Sequence, residues 1–151
     1  MNYWLFKSEP RSYSIDDLAR DTKTFWDGVR NYQARNFMRD DMHIGDRIFF
    51  YHSNADPSGI VGLAEVTSEA YPDQTAFDKM DHHYDPKSKK DNPAWYGVDI
   101  MFCKKFSRTI SLEEIKNTSA VKDMLVARRG MRLSVMPVEE KHAMRILAMA
   151  S

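Results

Sequence analysis

WDGVRNYQARNF, residues 26–37, interleaves three aromatics (Trp26, Tyr32, Phe37) with two arginines (Arg30, Arg35) and two asparagines (Asn31, Asn36). Gly28 lets the backbone approach closely whatever lies beside it. Aromatic faces stack on nucleobases, guanidinium groups pair with phosphates or base edges, and asparagine amides read donor–acceptor pairs on a planar ring. The same residues also suit a plainer arrangement, with aromatics in a core and polar groups capping a helix. In either case Asn31 is placed to cap a short helix carrying Tyr32 through Met38.

Outward from this run, local signals alternate between strand and helix. Asn2–Phe6 is short, aromatic and apolar, hence a strand. Ser14 with Asp17 fits a capping box, and Tyr13 with Leu18 a hydrophobic staple, so a helix starts at Ser14. Gly45-Asp46 marks a turn before the β-prone Ile48–Tyr51, and Ile60–Val66 returns as a strand. Tyr71–Ala94, rich in Asp, Pro and Lys, reads as a long surface loop. Val98, Ile100 and Phe102 alternate on one face of a further strand. Ser111 with Glu114 and Ile110 with Ile115 repeat the box and staple. Arg132–Met136 is a strand, and Ala143, Ile146, Leu147 and Ala150 give a C-terminal helix its apolar stripe. Short strands with interspersed helices predict an α+β fold built on a small curved sheet or barrel. Regular strand–helix alternation, which a doubly wound fold needs, is absent.

The chain's 151 residues predict one domain, 1–151, with 42% hydrophobic content to build a core. Basic and acidic residues balance at 22 each, so any nucleic acid must be held by local patches. Arg30, Arg35 and Arg39 form one such cluster, and Lys87, Lys89 and Lys90 a second. Lys104, Lys105 and Arg108 form a third, and Arg128, Arg129 and Arg132 a fourth. Cys103 is the only cysteine, which excludes an internal disulfide and fits a reducing compartment. No apolar run approaches the roughly 18 residues of a membrane span, and the N-terminus lacks a signal pattern. The expected setting is cytoplasmic, away from membranes, as a monomer.

Enzymatic signatures are sparse. No glycine-rich phosphate loop occurs. Asp81, His82, His83, Asp85 and Asp91 cluster in the long loop, but adjacent histidines point apart on most backbones, so no metal or cofactor is expected. Tyr51-His52-Ser53 ends a strand, where neighbouring side chains face opposite ways, which argues against a Ser–His pair. Lys7-Ser8-Glu9, stiffened by Pro10, suits the rim of a pocket.

Taken in order, YWLFKSEP, WDGVRNYQARNF, GDRIFFYHSN, GIVGLAEV, AYPD and RLSVMPV resemble the EVE domain family, a PUA-like group close to YTH and ASCH domains. The likeness runs from Tyr3 to about Leu147. It implies an open, mostly antiparallel β-barrel flanked by helices, with a pocket for a modified nucleobase such as methylated cytosine, in DNA or RNA or as a free nucleoside. YTH readers hold a methylated base in an aromatic cage. Lys7-Ser8, Trp26 and Gly62-Leu63-Ala64-Glu65 resemble their motifs, and Trp95 resembles a further cage residue.

On this reading Trp26 lines the pocket rather than filling the core, with Tyr32 or Trp95 opposite and Val29 and Tyr51 beside it. Stacking contributes about 1–3 kcal/mol per base, and a fully buried methyl about 0.8 kcal/mol. Lys7, Ser8, Glu9, Asn31, His52 and Ser53 supply the polar edge, with Asn31, His52 and Ser53 expected to set base identity. Arg30 and Arg35, with Arg128, Arg129 and Arg132, hold the backbone phosphates. The alternative is a small ASCH-like hydrolase of a modified nucleoside, in which Lys7, Glu9 and Glu65 converge as amine and acid/base pair. A plain protein-interaction module would leave the polar side of residues 26–37 without a purpose.

Overall fold

A computed structural model describes residues 1–151. Strand β1 (Tyr3–Ser8) leads into helix α1 (Ile15–Asp21), the short β2 (Lys23–Phe25) and helix α2 (Tyr32–Asn36). Strands β3 (Arg47–His52) and β4 (Gly59–Val66) follow, then the two-residue strands β5 (Tyr71–Pro72) and β6 (Tyr96–Gly97). A long β7 (Asp99–Ser111), helix α3 (Leu112–Lys116), β8 (Val135–Val138) and helix α4 (Glu140–Met149) complete the chain. Six strands form one sheet in the order β2-β7-β4-β3-β1-β8, and β5 pairs with β6 apart from it.

All pairings in the large sheet are antiparallel except β1 with β3. A parallel pair needs a crossover connection. Here the crossover leaves from Ser8 and contains α1, β2 and α2, so residues 26–37 are carried over the end of β1. Register shifts interrupt the ladder at Phe50/Tyr51, Ile60/Gly62 and Leu63/Ala64, and bulges of this kind increase twist and bend the sheet. The result is the expected PUA-like α+β architecture, a curled sheet with helices against it.

One core cluster of 33 buried residues runs through the chain. Tyr3–Phe6 and Ile48–Tyr51 are buried without alternation, because these central strands are covered on both faces. Asp46 is buried with them and accepts hydrogen bonds from the Asn2 amide, Trp4 Nε1 and the His43 amide. It therefore ties the turn before β3 to the start of β1.

Ser14 accepts from the Asp17 amide while Asp17 accepts from the Ser14 amide, a complete capping box. Ser111 caps α3 through the Glu114 amide, but the Glu114 carboxylate pairs with Arg108 at 2.7 Å instead of closing the box. Asn31 caps α2 through the Ala34 amide, and a π-helical turn continues it over Phe37–Asp41. Strand β7 extends nine residues beyond Phe102, to Ser111, through a largely polar stretch in which Phe106 and Ile110 alone are buried, without the apolar alternation that would announce it. Tyr71–Ala94 is not the simple surface loop expected, since Asp73, Ala76 and Ser88 within it are buried.

Candidate nucleic-acid interface

The C-terminal end of β1 opens into a cavity of about 470 Å³ lined by Lys7, Ser8, Trp26, Asp27, Val29 and His83, among others. β8 runs antiparallel beside β1, and the Lys7 amide donates to the Ser134 carbonyl at 2.8 Å, so Ser134 joins the same wall. A hollow near the N-terminus includes Asp40, Asp41 and Glu140 and offers a polyanion no lysine or arginine side chain. A smaller one of about 260 Å³ lies between β8 and α4 and is mainly apolar. The cavity at the end of β1 joins an aromatic floor to free polar groups that include the Lys7 ammonium.

Trp26 forms that floor. Its ring lies 5.3 Å from Phe6 and 5.6 Å from Phe50, edge-on to the latter, and it retains 9% exposure. The expectation that it would line a pocket rather than fill the core therefore needs correcting, because it does both. The Trp26 amide donates to the Val98 carbonyl, fixing β2 against the strand that follows β6. Burial lowers the pKa of Lys7, whose ammonium sits 5.7 Å over the Tyr51 ring. Ser8 Oγ donates to the Tyr13 carbonyl at 2.6 Å.

Tyr32 and Trp95 do not face Trp26 across the cavity. They stack on each other, centroids 4.7 Å apart and nearly parallel. Arg35 lies 4.9 Å over Tyr32, and Arg30 lies 5.4 Å over Trp95. Trp95 Nε1 donates to Asp85 at 2.6 Å. This layered stack clamps the 26–37 run to the 71–95 segment, which gives these residues a structural role.

Arg30 is likewise unavailable for phosphate. It pairs with Asp73 at 3.0 Å and donates to the His83 carbonyl at 2.7 Å and to Thr75 Oγ1. Arg35 donates to the Ala94 carbonyl at 2.6 Å. Asp73, a residue not anticipated, also accepts from the Gly28 amide and from Thr75. Burial alone would raise its pKa, but these donors outweigh it and hold the carboxyl below its ordinary value. Its position within AYPD was the available signal; its burial was not readable locally.

The polar edge also departs from expectation. Asn31 is an exposed helix cap. His52 Nε2 accepts from the Ile15 amide, and burial lowers its pKa. The Ser53 amide donates to the Ser8 carbonyl, while Glu9 accepts from Asn54 at 2.6 Å. None of these four side chains lines the cavity. Glu65 pairs with Arg47 at 3.6 Å, whereas Lys7 stands opposite Tyr51. Four residue steps along β3, about 13 Å, separate those positions, so Lys7, Glu9 and Glu65 do not converge.

His82 and His83 do not point apart. Their rings lie 3.8 Å from each other at the cavity wall, and with Asp81 they bring potential metal-ligand atoms within 4.8 Å. His83 Nδ1 is 3.3 Å from Asp81 Oδ1 but out of line for a hydrogen bond, and that oxygen already accepts from the His83 amide. The His83 ring packs on Gly28, whose φ is +77°. Gly28→Ala is expected to cost about 1–3 kcal/mol, because a side chain is forced into the left-handed region and against that ring. Urea denaturation measures it, and an unchanged midpoint would show that the 26–37 backbone relaxes freely.

Arg128, Arg129 and Arg132 are exposed and without intrachain partners. Arg20, Arg30, Arg39, Arg47 and Arg108, by contrast, all pair with carboxylates. None of Arg128, Arg129 and Arg132 lines the cavity at the end of β1, and Arg128 borders the apolar one between β8 and α4; Arg132 is the nearest in sequence to the cavity wall, two residues before Ser134.

Residues 2–149 match the EVE domain. The chain belongs to the EVE domain family. Rat thymocyte nuclear protein 1 is 47% identical over 98% of this chain and 73% of its own length. A Pseudomonas putida protein of known structure superposes with TM-score 0.95 at 44% identity, covering 99% of both chains. Human THYN1 protein, crystallised in complex with 5-methylcytosine-containing DNA, superposes with TM-score 0.92 at 42% identity, covering 100% of this chain and 98% of that one. An ASCH protein from Zymomonas mobilis shares the fold alone, at TM-score 0.57 and 10% identity.

Proposed function

We propose that this EVE domain is a non-enzymatic module that takes a methylated cytosine of DNA, swung out of its stack, into the cavity floored by Trp26. The observation that carries this reading is the cavity itself: a buried indole floor bordered by free polar groups. The DNA complex of the human relative supports the ligand class. The base stacks on Trp26, its methyl meets the apolar wall at Val29, and the flanking phosphates meet Arg128, Arg129 and Arg132. RNA is the competing polymer, and the same titration on matched DNA and RNA strands separates them. Fluorescence anisotropy with short oligonucleotides carrying one 5-methylcytosine, cytosine or abasic position tests the proposal. Equal affinity for the methylated and abasic strands overturns it.

Few phosphates are engaged on this reading. With three free arginines, log Kobs is expected to fall with log salt at a slope of about −2 on single strands. Replacing Arg128, Arg129 and Arg132 together by Ala should bring the slope close to zero. A wild-type slope steeper than about −6 would reveal a far broader basic footprint.

A further inference from the structure

5-Methylcytosine and thymine carry the same methyl group, so an apolar wall cannot tell one from the other. They differ at C4, where cytosine presents an amino donor and thymine a carbonyl acceptor. Discrimination therefore needs an acceptor in the cavity that no group of the protein has already claimed.

Asp27 meets that requirement. It follows the Trp26 floor directly and lines the cavity. Two carboxylates border this space, and Asp81 is engaged by the His83 amide at 2.8 Å. Asp27 accepts no hydrogen bond and joins no ion pair, although the neighbouring Gly28 amide and Arg30 are both bound by Asp73. Lys7, Ser12 and Ser134 add donors to the same wall, suited to the O2 carbonyl that both pyrimidines share.

We propose that Asp27 is the specificity-determining acceptor of this site, receiving the exocyclic amino group of 5-methylcytosine and rejecting thymine by lone-pair repulsion at O4. This rests on the base-binding reading above. Asp27 is exposed at the cavity rim, yet partial desolvation there raises the carboxyl's pKa, with Asp73 and Asp81 adding to the rise and His83 and Arg30 opposing it. Lys7, Tyr13 and His82 complete the charged or titratable surroundings within the cavity. Protonated, Asp27 becomes a donor and suits the thymine carbonyl. The preference for 5-methylcytosine therefore belongs to the ionised carboxylate and declines as pH falls through the raised pKa.

Anisotropy titrations of the full chain against single strands differing only in one 5-methylcytosine, thymine or abasic position test this. The wild type is expected to prefer 5-methylcytosine over thymine by about tenfold or more. In Asp27→Asn, whose amide can turn either group toward the base, the two affinities should agree within about twofold, with both still above the abasic strand. A wild-type ratio retained in the variant overturns the assignment while leaving base binding intact. Failure of the wild type to distinguish any base from the abasic strand overturns base binding, and the assignment with it. The wild-type ratio should also shrink between about pH 8 and pH 5, above the range in which the cytosine ring nitrogen itself takes a proton, and the variant's should not. That arm needs no substitution to fold, and a flat wild-type ratio, or an equal trend in both proteins, contradicts the role given to Asp27.

Discussion

Asp73→Ala is expected to lower the stability of the folded chain by about 3 kcal/mol. The Asp73 side chain is fully buried and accepts from the Gly28 amide, Arg30 and the Thr75 amide and hydroxyl. Removing one partner of a buried pair typically costs about 3–5 kcal/mol, since the other charge is left uncompensated. Arg30 keeps 23% exposure and can recruit water, which favours the lower end of that range. A loss of this size shifts the melting temperature of a chain this long by roughly 6–12 °C. Asp73→Asn should cost less, because the amide oxygen can still accept from Gly28. The effect also has a sign with pH. The folded-state pKa lies below the ordinary carboxylate value of about 3.9, so the contribution is complete above that value and fades as pH falls through the folded pKa. Parallel urea titrations at pH 7 and pH 3 read this directly. A variant as stable as the wild type at pH 7 would mean that the 26–37 run holds its place without the ion pair.

Trp26→Ala should remove ligand binding and destabilise the fold together. The indole packs on Phe6, Phe50 and Tyr13 within the main core, and truncating a buried Trp typically costs about 3–5 kcal/mol. The stacking platform is lost as well, about 1–3 kcal/mol per base. The alanine variant by itself therefore confounds site with core. Trp26→Phe separates them, because a smaller ring stays on Phe6 and Phe50 while presenting less surface to a base. The phenylalanine variant is expected to unfold close to the wild-type midpoint and to bind the methylated oligonucleotide several-fold more weakly. Wild-type affinity in Trp26→Phe would place the base elsewhere in the cavity. Wild-type stability in Trp26→Ala would remove Trp26 from the core.

How much was legible beforehand depends on the range over which each feature is decided. Ser14 with Asp17, and Asn31, declare helix starts because a cap is satisfied within three residues of itself. β1 and β3 are readable from runs of aromatic and β-branched residues that are central in any sheet they join. β2 and the second half of β7 are not readable: three residues of mixed polarity, and a polar stretch, become strand only when partners supply the hydrogen bonds. The 26–37 run stood out in the sequence, and Trp26–Val29 do line the cavity, yet the division of labour inside the run was not readable. Arg30, Tyr32 and Arg35 look like ligand groups in isolation. They become structural because the segment around Asp73, Asp85, Ala94 and Trp95, more than forty positions downstream, folds back to bind them. The amino-acid sequence alone determined the family and the α+β class, since these rest on local pattern and a long contiguous motif. Tertiary structure decided which polar groups are spent on each other and which stay free. A hydrogen-bonding or charged group serves a ligand only when no nearer partner claims it, and that competition is settled by contacts across the whole chain.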